Sequence, residues 1–540
     1  VRYTPTIDNA WTKTSTAGNY ASTTAEVIPI ATNAEWTVEA WVNPQTLTSA
    51  TWYGIFGQAT AGSNRYSLWS YGQASLHIST PTTNVTIPYK LETGRWTHIA
   101  WAMSTGTTST LFIDGQQYWQ GTMARSANAG PVFTLGGTEQ DTQNEFDGSI
   151  DHVKVWGSAL SATQVQTSMH TYSTFTGSPT LRALYDFNEV ENGLLVDRSG
   201  NGRNLTFPST FSSSELSSTP ILETGTAYSS QTYYKFKRTY LTASGGWISP
   251  NFSRAKALVV AGGGGGGGGP DNGSNDHMNG GGGGAGGLKS SESLTVTAGA
   301  IYPIKVGAGG IGTVQGAAGS NTAAAPSRGQ SSELGNLITT TGGGGGGYMA
   351  AIGTVVAATT GGSGGGGGAQ GDPAYPIAGA AGSSGEGNSG GNGFNWNGTF
   401  QGAGGGGGAG GAGVAANTIA NNSGAGGTGL ANSITGSSVT YAGGGGGGSR
   451  SATAGAAGSG GGGAGGKGGT STSGAENTGG GGGGDTRSAS AGGSGVVILS
   501  YGATMDVTQT PGGALAGTNF VRPITVQLKN ADGSNYSGAD

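Results

Sequence analysis

Long glycine tracts are the feature that most constrains how this sequence can fold. Eight consecutive glycines at 262–269 directly follow the apolar run "ALVVA", and 115 of the 540 residues are glycine, whereas usage of about 7% is ordinary. Similar tracts recur near 280, 342, 364, 404, 443, 460 and 479. Because ordering a glycine costs roughly 1–2 kcal/mol or somewhat more, composition alone favours a flexible tether, which tolerates any arrangement.

Two other glycine-rich architectures are excluded by the arrangement of the tracts. "GGGAGGKGG" around Lys467 resembles a phosphate-binding loop, but Gly468 stands where that motif needs Ser or Thr, and no strand–loop–helix context surrounds it. Collagen requires glycine at every third position without interruption, and runs such as 342–347 and 443–448 break that period. The choice that stays open is between a flexible linker and packed glycine helices.

The sequence around the tracts favours packing. Alternating apolar runs frame the region, with "SRAKALVV" before the first tract, "SLTVTAGAIYPIKV" within it and "GGSGVVILSY" at its end. A tether does not need such strands. Six to eight residues at about 3.1 Å each span roughly 20–25 Å, the length of a typical strand. We therefore expect antiparallel polyglycine-II helices in a hexagonal array, in which any Cβ would hold neighbouring helices apart.

Residues 1–220 have the pattern of a β-sandwich. Runs such as "EWTVEAWVNP", "RWTHIAWAMS" and "GSIDHVKVWGSAL" alternate apolar and polar side chains, so that one face of each strand enters a core. Asp114-Gly115 between two such runs predicts a type I′ hairpin turn, and "SATQVQTSMH" predicts a short helix with Ser161 as its N-cap. Many short strands separated by turn residues indicate two packed sheets.

These runs, in this order over residues 30–207, resemble the concanavalin-like, laminin-G and pentraxin jelly-roll superfamily. "LRALYDFNEVENGLLVDRSGNGRNLTF" resembles the element that usually pairs with that sandwich, and the resemblance implies a double-layered antiparallel fold. The glycine region, from "ALVVAGGGGGGGG" to "GGSGVVILSY", resembles the glycine-rich domain of bacterial and phage surface proteins, in which polyglycine-II helices pack as a rigid block. Residues 503–540 resemble the start of a bacterial immunoglobulin-like repeat.

The jelly-roll resemblance implies a calcium site. In "TLGGTEQDTQNEFDG" the pentraxin pattern makes Glu139 and Asp141 carboxylate ligands and Gln140 a ligand through its backbone carbonyl, and it places Asn64 in a second ligand loop. Calcium prefers several oxygen ligands from flexible loops. The acidic residue expected beside Asn64 is missing, so we expect one weaker calcium ion rather than two. A solvated loop without metal is the alternative.

A second candidate metal site is Asp197 with Asn201 and Asn204 in "VDRSGNGRN". Its alternative is a tight turn, because Asp and Asn side chains bond to their own backbone and glycine supplies a positive φ. Both interpretations stay open at this point.

Catalysis is not expected. Glycosidases of this superfamily need two carboxylates that flank the scissile bond. Glu35 and Glu39 lie four residues apart on one predicted strand, but the Asp expected between them in the glucanase pattern is missing, so we interpret Glu39 as a structural position. No Ser, Cys or carboxylate stands at motif spacing for a triad from His77, His98, His152 or His170.

Aromatic side chains are the candidates for ligand contact. Trp52, Tyr53, Trp69 and Trp119 have rings that are able to stack on sugars. Most tryptophans in a sandwich belong to its core, so at most one or two of these residues are expected to bind a ligand.

Composition limits the partners and the compartment. Only 9% of the residues are charged, the net charge is −5 and the basic residues are scattered, so no nucleic-acid patch is visible. Cysteine is absent, which removes disulfides and thiol chemistry, and no run approaches the ~20 apolar residues of a membrane span. A start at Val1 without a signal-like segment suggests a processed or trimmed chain. Abundant Thr, Ser, Asn and aromatic residues indicate an extracellular or cell-surface β protein.

The sequence therefore predicts a mostly β protein of three parts. These are a laminin-G-like jelly-roll sandwich at 1–220, a glycine-rich polyglycine-II domain at 221–502 and the start of an immunoglobulin-like repeat at 503–540. The predicted function is that of a non-enzymatic modular adhesin, in which the jelly roll binds a glycan or another surface ligand and the glycine block is a rigid spacer. The alternative is a structural subunit of a surface filament, sheath or surface layer that contacts copies of itself.

Overall fold

The computed structural model divides the chain into two compact units. One spans Val1–Pro220 together with Val314–Ala318, and the other spans Ile221–Thr313 and Gly319–Asp540. The structure describes residues 9–14, 19–59, 65–126, 130–137, 145–169, 180–187, 190–191, 194–208, 211, 216–218, 222–227, 231–236, 247–248, 254–269, 278–297, 300–315, 323–351, 354–370, 378–396, 400–417, 422–450, 453–501, 504–509 and 525–529. No helix in these ranges is both long and apolar enough to cross a membrane.

The described part of the first unit is built from short antiparallel strands and one helix, α1 (Ala162–Ser168). Its strands are β1 (Asn9–Lys13), β2 (Ala21–Thr23), β3 (Trp36–Pro44), β4 (Trp52–Ala59), β5 (Arg65–Tyr71), β6 (Ser75–Ser79), β7 (Asn84–Ile87), β8 (Thr97–Met103), β9 (Thr108–Ile113), β10 (Gln116–Thr122), β11 (Val132–Leu135), β12 (Gly148–Trp156), β13 (Leu181–Tyr185), β14 (Val190–Glu191), β15 (Leu194–Leu195), β16 (Leu205–Thr206) and β17 (Leu216–Ser218). One sheet has the order β10-β9-β8-β3-β12-β1-β17, with β13 also paired to β12, and the other has the order β14-β15-β16-β2-β11-β4-β5-β6-β7. The predicted mostly β class with an N-terminal jelly-roll sandwich is confirmed.

Aromatic rings fill the space between the two sheets. Trp36 of β3 lies with its ring centroid 5.5 Å from that of Tyr66 on β5 and 4.8 Å from that of Trp101 on β8, and all three side chains are fully buried. Strand alternation sends every second residue to this side. Burying 150–250 Å² per ring contributes on the order of 4–6 kcal/mol gross, so these rings contribute a large part of the stability of the sandwich.

Two local predictions in this unit are confirmed. Asp114 and Gly115 connect β9 to β10 with φ values of 47° and 74°, the positive values that a type I′ turn requires at both central residues. Ser161 is the N-cap of α1, and it forms a capping box in which its side chain and that of Gln164 each accept from the other residue's backbone amide.

Further strands follow from residue 221 onward, most of them only two or three residues long. They are β18 (Leu222–Ala227), β19 (Gln231–Phe236), β20 (Trp247–Ile248), β21 (Arg254–Val260), β22 (Met278–Asn279), β23 (Leu288–Thr295), β24 (Ile301–Tyr302), β25 (Ile304–Lys305), β26 (Val314–Gln315), β27 (Ala323–Ala324), β28 (Ser332–Leu334), β29 (Ile338–Thr340), β30 (Tyr348–Ala351), β31 (Thr354–Val356), β32 (Ala369–Gln370), β33 (Phe394–Trp396), β34 (Phe400–Gly402), β35 (Leu430–Asn432), β36 (Val439–Tyr441), β37 (Val496–Tyr501), β38 (Thr504–Gln509) and β39 (Thr525–Lys529). Since β38 and β39 pair only with each other in the described residues, the immunoglobulin-like repeat at 503–540 stays a prediction.

The long strands of this second unit continue directly into glycine tracts. Strands β18-β19-β37-β21-β23 form one sheet in that order. The tract 261–269 follows β21, the tract 280–287 precedes β23, and the segment 489–495, which folds back along 479–485, precedes β37. The central sheet therefore aligns three tracts side by side, as the framing strands in the sequence predict.

Backbone hydrogen bonds join the tracts with a period of three residues. In the central tract, 280–287, the amides of Gly280, Gly283 and Gly286 donate to carbonyls of 479–485 over 2.8–2.9 Å. The amides one residue further along, at 281, 284 and 287, donate to carbonyls of 341–347. Those of 282 and 285 donate to carbonyls of 404–407. Three residues per turn is the period of a polyglycine-II helix, so this pattern supports that predicted conformation.

The central tract has a neighbour in each of six directions. In addition to the three tracts that accept its amides, its carbonyls accept amides from 261–267, 363–366 and 445–448. Five of these neighbours run antiparallel to the central tract. The sixth, 404–407, runs parallel to it. The prediction of an antiparallel stack is therefore incomplete. A three-fold helix projects its donors and acceptors radially, so a parallel neighbour can bond equally well.

Tracts at the outside of this array carry side chains on their outward positions. In 453–459, Gly455 and Gly458 are buried, whereas Ala456 and Ala457 between them are exposed. Glycine is thus needed only where the tract faces its neighbours. This explains why the inserts between the pure glycine runs contain Ala, Ser and Thr without breaking the array.

We expect Gly265→Ala to destabilise the second unit by about 3 kcal/mol or more. A Cβ at Gly265 would lie 1.9 Å from the carbonyl oxygen of Ile311, and that backbone is itself held by the array, so the overpacking cannot relax cheaply. The measurement is the free energy of unfolding in urea, with amide hydrogen exchange of the tracts as a local readout.

The matched control is Gly345→Ala in another tract. The nearest atom to its Cβ is the carbonyl oxygen of Pro326 at 3.0 Å, and the lower entropy of the unfolded chain offsets part of the cost. We expect this variant to stay within about 1 kcal/mol of the parent. Equal stability of the two variants would contradict close packing at residue 265.

Candidate functional site

The predicted calcium loops lie outside the described residues. Glu139, Gln140 and Asp141 fall in segment 138–144, and Asn64 falls in segment 60–64. Their joint role as calcium ligands therefore stays a prediction.

The described residues next to these two segments contact strand β4 at different positions along its length. Ala59, which precedes the first segment, pairs with Val132. Near the second segment, the amide of Gly136 donates to the carbonyl of Ile55 over 2.8 Å. At about 3.4 Å per residue, the four residue steps from Ile55 to Ala59 separate these points by about 14 Å.

Asp197 lies in a tight turn in which backbone amides surround its carboxylate. Oδ1 accepts from the amides of Leu184 and Ser199, and Oδ2 accepts from the amide of Arg203, each at 3.0 Å. Asn204 accepts from the amide of Asp197 over 2.9 Å. These are the contacts that the turn interpretation requires.

Asn201, the other described residue of this candidate metal site, also has protein partners. Its side-chain amide donates to the carbonyls of Leu181 and Arg182 over 3.0 and 3.1 Å. The side chain thereby ties the turn to β13. A metal role for Asp197 and Asn201 stays a prediction, and it would have to compete with these hydrogen bonds.

Glu39 is fully buried beneath α1, in a network of polar side chains on the outer face of its sheet. Its Oε1 accepts from Trp156 Nε1 over 2.9 Å and lies 3.6 Å from Lys154 Nζ. Oε2 lies 3.3 Å from His98 Nε2, and Ser168 donates to Oε1 from the last turn of α1. Glu39 therefore joins three strands and the helix, in agreement with its interpretation as a structural position.

The electrostatics of this network keep Glu39 ionised. Burial by itself raises the pKa of Glu39, but the ammonium group of Lys154, together with His98 and Ser168, lowers it overall to about 2. Glu35 is only half-buried and accepts from the amide of Thr105 over 3.3 Å. Substrate cannot reach the carboxylate of Glu39, and that of Glu35 bonds to a loop amide. The two therefore do not form the facing pair of carboxylates that glycoside hydrolysis needs.

An aromatic cluster, consisting of Trp52, Trp69, Tyr71 and His77, forms the candidate ligand-binding surface. The Trp52 ring lies 4.6 Å from Tyr71, 4.4 Å from His77 and 6.3 Å from Trp69 between ring centroids. Trp69 is buried, but 38% of Trp52 is exposed. The cluster thus presents one large, laterally supported ring to solvent.

Strand register explains why these residues meet. Trp52 pairs with Tyr71, and Trp69 pairs with His77 on the next strand. Directly paired residues share a face of the sheet. Tyr66 and Leu68, which alternate with this set on β5, are buried, and Tyr66 contacts Trp36 in the core. The aromatic cluster therefore stands on the outer face of β4, β5 and β6.

Hydroxyl groups hold His77 in place at the edge of the cluster. Its Nε2 lies 2.8 Å from Ser75 Oγ and its Nδ1 lies 3.1 Å from Thr86 Oγ1. Burial lowers the pKa of His77 below its ordinary 6.5, so the ring is neutral near pH 7. His77 then supplies an uncharged polar edge beside Trp52, which suits a ligand rich in hydroxyl groups.

The other aromatic candidates are less accessible. Tyr53 is 4% exposed, and its hydroxyl accepts from the amide of Thr48 over 3.0 Å. Trp119 is half-buried and lies over Gly121, where a Cβ would come within 2.4 Å of the indole ring. Tyr71 and His77 were not among the ligand candidates from the sequence, although they share an alternating face with Trp69 in "SLWSYGQASLHIS".

Family models match both parts of the chain. Residues 15–166 match the model of the concanavalin A-like lectin/glucanases superfamily, and residues 242–502 match that of a glycine-rich domain. The chain joins a concanavalin-like domain to a glycine-rich domain. No curated protein matches the chain.

Solved structures resemble the concanavalin-like domain at low identity. A proposed carbohydrate-binding protein from Bacteroides ovatus is 18% identical over 37% of this chain and 58% of its own length, with a TM-score of 0.29. The pentraxin of Limulus polyphemus is 18% identical over 28% of this chain and 81% of its own, with a TM-score of 0.21. Domain 4 of an arabinanase from Geobacillus stearothermophilus, solved with arabinotriose, is 25% identical over 27% and 69%, with a TM-score of 0.23. Since these TM-scores are low, the family model carries the assignment.

We expect Glu39→Gln to lower the free energy of unfolding of the concanavalin-like domain by about 3 kcal/mol at pH 7. A pKa near 2 instead of the ordinary 4.5 corresponds to that amount at 1.36 kcal/mol per unit. This stabilisation is complete above pH 4.5 and is lost as the pH falls toward 2. The difference between variant and parent in denaturant unfolding should therefore shrink between pH 6 and pH 2.

Glu35→Gln is the control for this experiment, because Glu35 is half-buried and has one weak contact. It should change stability by no more than about 0.5 kcal/mol. A constant difference between Glu39→Gln and the parent across this pH range would show that the ionised form of Glu39 is not the stabilising one.

Proposed function

We propose that this chain is an extracellular modular adhesin whose concanavalin-like domain binds a glycan through the aromatic cluster. The observation that carries this proposal is the exposed Trp52 ring, supported by Tyr71 and His77 on its flanks. An exposed aromatic face with polar neighbours stacks on the apolar face of a sugar and bonds to its hydroxyl groups. The match to the lectin/glucanase superfamily supports the same ligand class.

The geometry favours binding rather than hydrolysis. Glu39 is fully buried, with Oε1 accepting from Trp156 and Oε2 lying 3.3 Å from His98 Nε2. Near the aromatic cluster, the polar groups on the strands include the hydroxyls of Ser75 and Thr86, the neutral His77 and the guanidinium of Arg65, which lies 5.4 Å from the centroid of the Trp69 ring. Hydroxyls, a neutral imidazole and a guanidinium orient a sugar, but they do not supply the carboxylic acid and carboxylate that a glycosidase uses.

The glycine-rich domain would act as a rigid spacer. Its central tract is bonded on six sides, and bending that tract would break hydrogen bonds along its length. Each bond contributes only about 0.5–1.5 kcal/mol, but they are numerous and mutually dependent. A stiff block of this kind would hold a binding domain away from the surface that carries it.

A calcium ion is the proposed cofactor of the concanavalin-like domain. The carboxylates of Glu139 and Asp141, the carbonyl of Gln140 and the amide oxygen of Asn64 form an all-oxygen donor set, which suits calcium in its chemistry.

We expect Trp52→Ala to weaken glycan binding about fivefold or more while the concanavalin-like domain stays folded. Stacking of one aromatic ring contributes about 1 kcal/mol or more, and the exposed ring lies outside the core. A glycan array would identify a bound glycan, and calorimetry with that glycan would measure the change. Phe394→Ala is the control, since Phe394 is 36% exposed in the other unit and should have no effect.

Unchanged binding by Trp52→Ala would refute this surface as the ligand site. If no glycan binds and the purified chain instead assembles into polymers, the filament or sheath alternative replaces the adhesin proposal.

We expect calcium to raise the melting temperature of the parent chain, and Asp141→Asn to abolish most of that shift. Loss of one carboxylate removes both a ligand and a charge from the proposed site. At a calcium concentration 100 times the dissociation constant, the stabilisation would be about 2.7 kcal/mol. Asp147→Asn, at the start of β12, serves as the control. An unchanged shift in Asp141→Asn would place calcium elsewhere.

A further inference from the structure

Two arginine side chains converge on a single backbone carbonyl at the edge of the sandwich. Arg182 of β13 donates from Nη2 to the carbonyl of Glu26 over 3.3 Å, and Arg203 donates from Nε to the same oxygen over 3.0 Å. Arg203 also donates from Nη1 to the carbonyl of Arg182 over 2.9 Å. The two guanidinium groups are therefore held close together by the backbone.

Neighbouring carboxylates only partly balance these charges. Glu26 Oε1 lies 3.5 Å from Arg182 Nη2, and the Glu26 side chain is 40% exposed. The carboxylate of Asp197 is occupied by three backbone amides, one of them that of Arg203. Neither carboxylate makes the bidentate contact that a guanidinium fork prefers.

Each guanidinium keeps unused donors. A guanidinium carries five N–H groups in a planar fork. Arg182 uses Nε, toward the carbonyl of Val27, and Nη2, whereas Arg203 uses Nε and Nη1. Within the described ranges, Arg182 Nη1 and Arg203 Nη2 make no hydrogen bond to the protein. Both residues are partly accessible to solvent.

The proximity of two cations is unfavourable unless something compensates for it. Burial and the charge of Arg203 lower the pKa of Arg182, while Glu26 opposes that effect. An oxyanion that bridges the two forks would relieve the repulsion and satisfy the remaining donors. Glu26, through its long contact to one of them, would then be a weak competitor for that position.

We infer that Arg182 and Arg203 form an oxyanion subsite for the carboxylate or sulfate group of an acidic sugar. This inference rests on the proposed function, because it specifies that the glycan bound by the concanavalin-like domain is acidic. The subsite lies on β13 and the turn before β16, whereas the aromatic cluster lies on β4, β5 and β6. The two sites can therefore be tested independently.

The experiment uses the full chain and three probes, which are a glucuronate-containing hexasaccharide, its carboxyl-reduced neutral form and inorganic sulfate. Calorimetry should show that the parent binds the acidic form at least about tenfold more tightly than the neutral form. Glu26→Gln keeps both arginines and removes the competing charge, so it should tighten binding of the acidic form by about fivefold and leave the neutral form unchanged. Arg203→Gln should abolish the preference.

Equal affinity of the parent for the acidic and neutral forms, or no gain in Glu26→Gln, would overturn the subsite and show that the arginines only clamp the chain. In that case, neutral binding that depends on Trp52 would leave the proposed function intact. Arginine-dependent binding of sulfate without binding of the acidic hexasaccharide would overturn the acidic-sugar assignment and leave a site for free anions. Since Glu26→Gln alters a half-exposed side chain, its result does not depend on whether Arg203→Gln folds.

Discussion

Hydrogen bonding between backbones that carry no Cβ is the interaction on which the glycine-rich domain depends. A single bond of this kind contributes about 0.5–1.5 kcal/mol, which is comparable to the entropy lost in ordering one residue. A pair of tracts would therefore gain nothing. The central tract 280–287 becomes favourable because each of its turns donates and accepts in three directions, so one ordered residue is used by several neighbours. The need for many tracts follows directly from this arithmetic.

The two units solve the burial of backbone polar groups in different ways. The concanavalin-like domain pairs its strands in two sheets and fills the space between them with rings such as Trp36 and Trp101. In the described residues of the glycine-rich domain, the buried side-chain clusters lie around its central sheet, where Leu258, Val260 and Ile498 contribute to one of them. Beyond that sheet the interior of the array consists of backbone. Packing of large side chains stabilises the first unit, whereas close backbone hydrogen bonding between residues without a Cβ stabilises the second.

The parts of the structure that could be predicted from the sequence are those set by local chemistry. Asp114-Gly115 needs only its own φ preferences, and Ser161 caps α1 through a residue three positions away. Contacts that depend on strand register could not be predicted in this way. The aromatic cluster combines residues of three strands, and the partners of Glu39 come from β8, β12 and α1. The parallel neighbour of the central tract could not be predicted either, because a run of glycines has no side-chain pattern that indicates the relative direction of neighbouring tracts.

The placement of β21 beside β37 determines how the glycine-rich domain would carry a mechanical load. The first strand that leads into the tracts and the last one that leaves them are antiparallel partners, with Lys256 opposite Ser500. Tension between the two ends of this segment would therefore act on one end of the β21–β37 pair, inside the central sheet, and open its ladder bond by bond. The glycine array beyond that sheet would lie outside the path of the force. Its stiffness would resist compression and bending, and stretching along the chain would be resisted by two strands of ordinary β-sheet.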